Sequence, residues 1–224
     1  MATRRNNLVP GLAEFIEGAL PELDQIPPER QKTLLQLTRF VDESHRANQP
    51  ARLTFICTHN SRRSHMAQLW AQVAALHFEA PHVQTFSGGT EATAFNPRAV
   101  AAMRRAGFRI ETPTEGDNPV YRVSWADPMK PVECFSKVHD QAPNPQQEYC
   151  AVMTCSHADT SCPVVVGAAV RVAIPYDDPK DFDGSDQEES QYDARCRQIA
   201  REMLFVFSRV KWGVTPRPRA TSSH

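Results

Sequence analysis

Short apolar segments separated by helical or polar stretches constrain the fold of this chain more than any other feature of its sequence. Residues 53–56, 83–86, 149–154 and 170–174 are such segments. Strands of this kind are typical of a parallel sheet that is covered on both faces. In such sheets ligands bind beyond the carboxyl ends of the strands, so a functional site is expected in the turns that follow these segments.

Helical patterns fill much of the remaining sequence. The spacing of apolar residues predicts two amphipathic helices before the first strand, with stripes formed by Leu12, Phe15, Ile16 and Leu20, then by Leu34, Leu37 and Val41. Residues 64–78, 97–105 and 187–210 are predicted as further helices. The second of these has Asn96 as its cap and is ended by Gly107.

The domain organisation follows from these elements. Residues 1–48 form a predicted N-terminal helical extension, and residues 49–212 form the main domain. A further short strand is predicted at 108–110. Residues 111–148 hold six of the 18 prolines, which excludes a long helix there and predicts an insertion with short extended pieces at 120–125 and 132–138. Residues 213–224 are predicted to be a disordered tail.

Charge balance and the lack of long apolar segments exclude several classes of protein. The 25 Lys and Arg residues are matched by 26 Asp and Glu, whereas proteins that bind nucleic acid or anionic membranes need a basic surplus. No segment approaches the roughly 20 apolar residues of a membrane-spanning helix. Glu14 and Glu17 interrupt the region where a secretory signal would be apolar. We therefore predict a cytoplasmic protein without nucleic-acid or membrane partners, whose six cysteines are mostly reduced.

The turn after the first predicted strand has the pattern of an anion-binding loop. It reads Cys57-Thr58-His59-Asn60-Ser61-Arg62-Arg63-Ser64 and lies between a strand and a helix. The backbone N–H groups of residues 58–63 are expected to point inward around an oxyanion, at the positive end of the following helix. The Arg63 guanidinium is expected to grip a tetrahedral oxyanion with two hydrogen bonds.

The same positive surroundings predict a reactive thiol. Helix N-termini and nearby cations lower the pKa of a cysteine, and the thiolate is its nucleophilic form. We therefore predict that Cys57 is ionised at neutral pH without a general base, with the Ser64 hydroxyl placed to hydrogen-bond to its sulfur. The alternative is that Cys57 merely ends a buried strand and that Arg63 makes a surface salt bridge.

These residues resemble the low-molecular-weight protein tyrosine phosphatase family, and within it more closely the thioredoxin-coupled arsenate reductases. The resemblance covers roughly residues 51–110 and 149–207. It rests on four segments, residues 57–64, 87–91, 96–99 and 177–179. It implies an α/β three-layer sandwich with a central four-stranded parallel sheet, and an arsenate- or phosphate-like oxyanion as substrate.

Two loop positions depart from the family pattern. His59 stands where the family usually has glycine, and Arg62 where a second loop cysteine is common. His59 is expected to indicate a slightly different loop path or an extra cationic contact, with an ordinary surface imidazole as the alternative. Arg62 adds positive charge at the mouth of the loop.

Asp178 stands before Pro179, at the position of the family's general acid. The resemblance implies that Asp178 protonates the oxygen that leaves the substrate, which requires it to stay protonated beside a bound dianion. The alternative is that Asp177 and Asp178 belong to a solvated acidic loop.

Two further cysteines bear on the type of chemistry. Cys155 and Cys162 form a Cys-x6-Cys pair after a predicted strand, the spacing at which the arsenate reductases carry their second and third cysteines. The resemblance implies that Cys57 attacks arsenate, that Cys155 attacks the Cys57 sulfur and releases arsenite, and that Cys162 resolves the disulfide for thioredoxin or a similar reductant. Ordinary buried thiols, or a zinc site with His157, remain alternatives.

Three functions stay open at this point. An arsenate reductase uses Cys57, Cys155 and Cys162, whereas a phosphatase acting on phosphotyrosine or a small phosphomonoester needs only Cys57. A non-catalytic module that senses oxyanions or oxidation is the third. We expect no metal or cofactor, and we predict a structural role for the remaining cysteines, Cys134, Cys150 and Cys196.

Overall fold

The computed structural model describes residues 7–112, 114–161 and 164–211. Its strands are β1 (Ala51–Cys57), β2 (Val83–Gly89), β3 (Arg109–Glu111), β4 (Tyr121–Ser124), β5 (Val132–Cys134), β6 (Tyr149–Met153) and β7 (Ala168–Ala173). Its α-helices are α1 (Pro10–Ala19), α2 (Pro28–Arg46), α3 (Arg63–His77), α4 (Pro97–Arg105), α5 (Ser156–Ser161) and α6 (Glu188–Ser208). Short 3-10 helices lie at Leu20–Gln25 and Pro179–Phe182.

Four parallel strands form the central sheet, in the order β2-β1-β6-β7. Cys57 at the end of β1 lies opposite Gly89 of β2, and Ile56 lies opposite Met153 of β6. The carboxyl ends of these strands therefore meet at one edge, and the residues that follow them come together there. The predicted four-stranded parallel sheet is confirmed.

The two faces of this sheet are covered unequally. Leu53 and Phe55 point into the main hydrophobic core, together with buried side chains of α2, α3, α4 and α6. The opposite face carries a smaller cluster, in which Ile56 and Met153 pack with Ala158 of α5. The three layers are present, with most of the helical cover on one side.

The N-terminal helices pack into the main core. Leu12, Ile16 and Leu34 have 0% exposed surface and belong to the same cluster as Leu53. Each fully buried aliphatic side chain of this size contributes about 1.5–3 kcal/mol to folding. The predicted extension is therefore joined to the rest of the protein by a shared core.

The predicted ends of α4 are confirmed. The Asn96 side-chain oxygen accepts a hydrogen bond from the backbone N–H of Arg98 at 2.9 Å. Gly107 follows the helix with a φ of +103°, where a side chain would be strained. A Cβ atom on Gly107 would also lie 2.4 Å from the backbone nitrogen of Leu12, so this turn fits closely against α1.

The insertion contributes a second, antiparallel sheet with the order β3-β4-β5. The extended pieces predicted at 120–125 and 132–138 are present as β4 and β5, which are shorter than predicted. The strand predicted at 108–110 corresponds to β3, which pairs with β4. After β5 the chain returns to the carboxyl edge of the parallel sheet, where the Lys137 carbonyl accepts a hydrogen bond from the Gly89 N–H at 2.9 Å.

Within the described ranges no helix is long and apolar enough to cross a membrane. The whole tail predicted at 213–224 lies outside the described residues, as does Cys162.

Candidate active site

The loop between β1 and α3 is held from outside by its carbonyl groups. The Thr58 oxygen accepts a hydrogen bond from the Glu91 N–H at 3.0 Å, and the Ser61 oxygen accepts one from the Asn96 N–H at 2.9 Å. The N–H groups of residues 58–63 make no hydrogen bond to another residue of the described chain. They therefore remain available to an anion, as the sequence predicts.

Gly89 allows the neighbouring strand to approach this loop. A Cβ atom on Gly89 would lie 2.6 Å from the Thr58 oxygen and 2.7 Å from the Asn60 nitrogen. Contacts this short do not occur between ordinary side chains and backbone, so any larger residue would displace the loop. The absence of a side chain at Gly89 in segment 87–91 thus allows the loop backbone to take its position.

Asn60 braces the loop from within. Its φ is +44°, a conformation that asparagine tolerates better than most residues. Its side chain is completely buried; Nδ2 donates to the Ser64 hydroxyl at 2.9 Å and Oδ1 accepts from the Lys137 N–H at 3.0 Å. Asn60 was predicted to bind the anion, and its side chain is committed to these two bonds, which leaves its backbone N–H for that task.

Cys57 and Ser64 lie together as predicted. The Cys57 sulfur is 3.0 Å from the Ser64 Oγ, and both residues are buried. Because the Ser64 oxygen already accepts from the Asn60 amide, its own hydrogen is available to the sulfur. A thiolate at Cys57 thus has a hydroxyl donor beside it.

Arg63 and Asp178 form an ion pair at the mouth of the loop. The Arg63 Nη2 is 2.5 Å from the Asp178 Oδ2, and Nη1 donates to the Tyr176 carbonyl at 2.8 Å. Asp178 also accepts from the Lys180 N–H at 3.2 Å, at the start of the 3-10 helix. The structure thus brings the predicted acid and the predicted anion-binding arginine together.

The side chains of two other predicted anion-binding residues have partners outside residues 57–64. His59 Nε2 lies 3.2 Å from the Glu91 carboxylate. Arg62 Nε donates to the Tyr192 hydroxyl at 2.8 Å. Arg62 Nε also lies 4.0 Å from Asp178 Oδ1, so its charge stays at the mouth of the loop. Both residues can also offer the anion their backbone N–H groups.

Cys155 lies against the loop from the other side. Its sulfur is 3.4 Å from the Thr58 hydroxyl and accepts from the Ala158 N–H at 3.3 Å. The Thr58 hydroxyl is also 3.3 Å from His157 Nδ1. In the part of the chain that the structure describes, no third ligand joins Cys155 and His157 in a metal site; Cys162 lies outside that part.

The three cysteines predicted to be structural are buried in apolar surroundings. Burial raises the pKa of Cys134, Cys150 and Cys196 to about 12 in each case. These thiols stay protonated at neutral pH and are poor nucleophiles. Their chemistry supports the structural role.

Sequence reasoning missed the residues that fix the acidic loop. The Tyr192 hydroxyl donates to Asp183 Oδ1 at 2.8 Å while it accepts from Arg62. Burial and the Asp183 hydrogen bond raise the pKa of Tyr192 to about 12, so the hydroxyl keeps its proton. Tyr192 lies on the buried stripe of α6 with Cys196 and Ile199, but that periodicity does not reveal a polar partner.

Comparison with known proteins gives a consistent group of relatives. An arsenate reductase of Halalkalibacterium halodurans is 29% identical over 154 residues, 69% of this chain and 92% of that protein. Arsenate reductase 2 of Staphylococcus epidermidis is 31% identical over 125 residues, 56% of this chain and 76% of that protein. A solved low-molecular-weight phosphotyrosine phosphatase of Vibrio cholerae matches with a TM-score of 0.47 at 13% identity, covering 70% of this chain and 95% of its own. No protein-family profile matches the chain.

Proposed function

Because this chain belongs to the low-molecular-weight protein tyrosine phosphatase superfamily, close to its arsenate reductases, it is an enzyme, and we propose that it reduces arsenate to arsenite through Cys57, Cys155 and Cys162. The electrons come from thioredoxin or a similar dithiol. The proposal places the enzyme in the cytoplasm, where such reductants keep thiols reduced.

In the first step, arsenate binds to the N–H groups of residues 58–63 and to the Arg63 guanidinium. The Cys57 thiolate attacks arsenic and forms an S–As bond, while a hydroxyl group leaves arsenic, takes a proton from Asp178 and departs as water. Arg63 exchanges Asp178 for the anion in this step. The freed carboxyl is then available to the leaving hydroxyl group.

In the second step, the Cys155 thiolate attacks the Cys57 sulfur. The S–S bond forms as the S–As bond breaks, the electron pair stays on arsenic, and As(V) leaves as As(III) in arsenite. In the third step, the Cys162 thiolate attacks the Cys155 sulfur and returns Cys57 as a thiolate. The external dithiol then reduces the Cys155–Cys162 disulfide.

The contact between Cys155 and the nucleophile loop carries this proposal. Cys155 reaches the Thr58 hydroxyl at 3.4 Å and shares a small buried cluster with Cys57. Hydrolysis needs no thiol at this place, whereas a two-electron reduction needs one within reach of the Cys57 sulfur. The Ala158 N–H at 3.3 Å gives a Cys155 thiolate a donor.

Hydrolysis of a phosphomonoester is the second candidate. The loop, Arg63 and Asp178 form a complete site for it without Cys155, and their contacts are equally suited to a phosphate ester. The sensing module without catalysis is disfavoured, because the relatives are enzymes by name.

Two assays on one preparation separate the candidates. Arsenite production is measured with thioredoxin and its reductase, and hydrolysis is measured with a chromogenic phosphomonoester. We expect arsenite production to stop in Cys155→Ser and in Cys162→Ser. Wild-type arsenite production in Cys162→Ser would contradict the relay. Efficient ester hydrolysis that survives both substitutions, with no arsenite formed by the unaltered enzyme, would favour the phosphatase.

A further inference from the structure

One buried ion pair joins the N-terminal extension to the surroundings of the active site. Arg30, in the first turn of α2, donates to both carboxylate oxygens of Glu202 in α6 at 2.8–3.1 Å. The side chains of Glu202 and Arg30 are 2% and 19% exposed. A buried charge is costly without its partner, so this pair holds the start of α2 in a defined position.

Arg30 also stacks on a residue of the active site. Its guanidinium carbon lies 4.9 Å from the centre of the buried Tyr176 ring. The Tyr176 N–H donates to the Thr154 carbonyl at 3.1 Å, and the Tyr176 carbonyl accepts from Arg63 Nη1 at 2.8 Å. Tyr176 therefore contacts the extension with its ring and the anion-binding guanidinium with its backbone.

We propose that Arg30 is a positioning residue, which fixes the Tyr176 ring and thereby the carbonyl that orients Arg63 toward the oxyanion. This inference rests on the proposed function, because it concerns the binding of the same anion. Among the described residues, Arg63 hydrogen-bonds to the Tyr176 carbonyl and to Asp178. When the anion replaces Asp178, the Tyr176 carbonyl is the contact that still holds the guanidinium.

A second ion pair between the extension and α6 provides a matched control. Arg197 donates to Glu22 at 2.8–3.3 Å, and its guanidinium carbon lies 4.6 Å from the centre of the Phe15 ring. The interactions have the same chemistry, an arginine on a carboxylate and over an aromatic ring. The Phe15 ring, however, stacks on Trp70 in the core and has no part in orienting Arg63.

The test compares two double variants of the full chain, Arg30→Met with Glu202→Met and Arg197→Met with Glu22→Met. Replacing both partners of each pair avoids leaving Glu202 as a buried, unpaired charge. In the second variant Arg201 also loses a carboxylate 4.0 Å away, but its side chain is 23% exposed and stays in contact with water. Calorimetric titration of the reduced proteins with inorganic phosphate gives the Kd, and thermal unfolding gives the stability. We expect the Kd to rise about 10-fold in the first variant, equal to about 1.4 kcal/mol, and less than about 2-fold in the second. The KM for arsenate should rise with the Kd.

The outcomes separate this inference from the proposed function. An unchanged Kd in the folded Arg30 and Glu202 variant would overturn the inference alone. An equal rise in both double variants would overturn it too, because the effect would then reflect general loosening of the extension. If the unaltered protein bound neither phosphate nor arsenate, the proposed function would fail, and the inference with it.

Substitutions at Tyr176 keep the test decisive if the first double variant does not fold. Burial, with the nearby charge of Glu202, raises the pKa of Tyr176 well above its ordinary value, so the hydroxyl stays neutral beside the Arg30–Glu202 pair. Tyr176→Phe keeps the ring beneath Arg30 and is the conservative variant, which should bind phosphate more tightly than Tyr176→Leu. Tyr176→Leu removes the ring beneath Arg30 and should raise the Kd several-fold. Equal affinity in these two folded variants would contradict the role assigned to Arg30.

Discussion

The loop after β1 and the segment after β6 end at the same edge of the sheet, yet the protein holds them in different ways. Residues 57–64 are fixed by the buried Asn60 side chain and by the close approach of Gly89. Residues 156–161 form a six-residue helix that is tied to β7 by an Arg171–Asp159 ion pair on its partly exposed side.

The difference corresponds to two chemical tasks. An anion site works best when its donors are already in place before the substrate binds. Cys155 must form a disulfide first with Cys57 and then with Cys162. This exchange requires that the segment after Cys155 can open at a low cost in free energy. We infer that the first loop is preorganised for binding and that the segment bearing Cys155 is held loosely enough to move.

The largest expected effects on activity come from substituting Cys57 in the first region and Cys155 in the second. Cys57→Ser should lower both arsenate reduction and phosphoester hydrolysis by about 1,000-fold or more, because both reactions begin with this nucleophile. Cys155→Ser should lower reduction to the same degree and leave the phosphate Kd within about 2-fold of the unaltered value. Loss of phosphate binding in Cys155→Ser would show that the regions do not have separate tasks.

The next effect concerns the rigidity of the loop. Asn60→Ala leaves the Ser64 hydroxyl and the Lys137 N–H without their buried partner, so it should cost about 1–3 kcal/mol of stability and weaken phosphate binding. The matched control is Thr160→Ala in α5, where the exposed hydroxyl bonds to the Ser156 carbonyl at 2.9 Å. It should change stability by less than about 0.5 kcal/mol. Urea unfolding measures both, and equal losses would contradict the contrast.

The stability of the protein is expected to depend on pH through His65, a buried residue in the first turn of α3. His65 stacks on Phe95 at 4.1 Å and lies 3.2 Å from the Ser87 hydroxyl. Burial, with the charge of Lys137, lowers the pKa of His65 well below 6.5. As the pH falls, the His65 imidazole therefore takes up a proton in the unfolded chain before it does so in the folded protein. The contribution of neutral, buried His65 to the free energy of unfolding is complete above about pH 6.5 and decreases at lower pH.

The free energy of unfolding should decrease by about 1.4 kcal/mol per pH unit between about pH 6.5 and the pKa of His65 in the folded protein. Urea unfolding at several pH values measures it, and His65→Gln should flatten the slope. An identical slope in the unaltered protein and in His65→Gln would rule out His65 as its source.

The smallest expected effect concerns how readily helix α5, which follows Cys155, opens locally. The Arg171 and Asp159 side chains are 28% and 34% exposed, and pairs this exposed contribute about 0–1 kcal/mol. Asp159→Ala should speed hydrogen exchange of the backbone in α5 and leave exchange in residues 58–64 unchanged. A matching increase in the loop would mean that the two regions open together.

The sequence predicted the fold well because its signals are local. Asn96, Pro97 and Gly107 mark the ends of α4, and the apolar pattern of 53–56 marks β1. The nucleophile loop was predicted for the same reason, since Cys57, Arg63 and Ser64 are neighbours in the chain.

The contacts that complete the site join residues far apart in sequence, and these were not predicted. Asn60 bonds to Lys137, Arg63 to the Tyr176 carbonyl, and Arg30 packs on the Tyr176 ring. A backbone carbonyl carries no residue-type signal, and the pairing of Arg30 with Glu202 depends on how α2 and α6 pack. The direction of the Arg62 side chain depends on Tyr192 in the same way.

The most direct measurement concerns the disulfide that joins the two regions. The Cys162→Ser variant is first reduced, and the external thiol reductant is then removed. The protein is mixed with arsenate, the reaction is quenched with an alkylating agent, and disulfides are mapped by peptide mass spectrometry. We expect one arsenite per chain, and a Cys57–Cys155 disulfide that accumulates in step with it. Continued arsenite release beyond one per chain, or release without that disulfide, would contradict the relay.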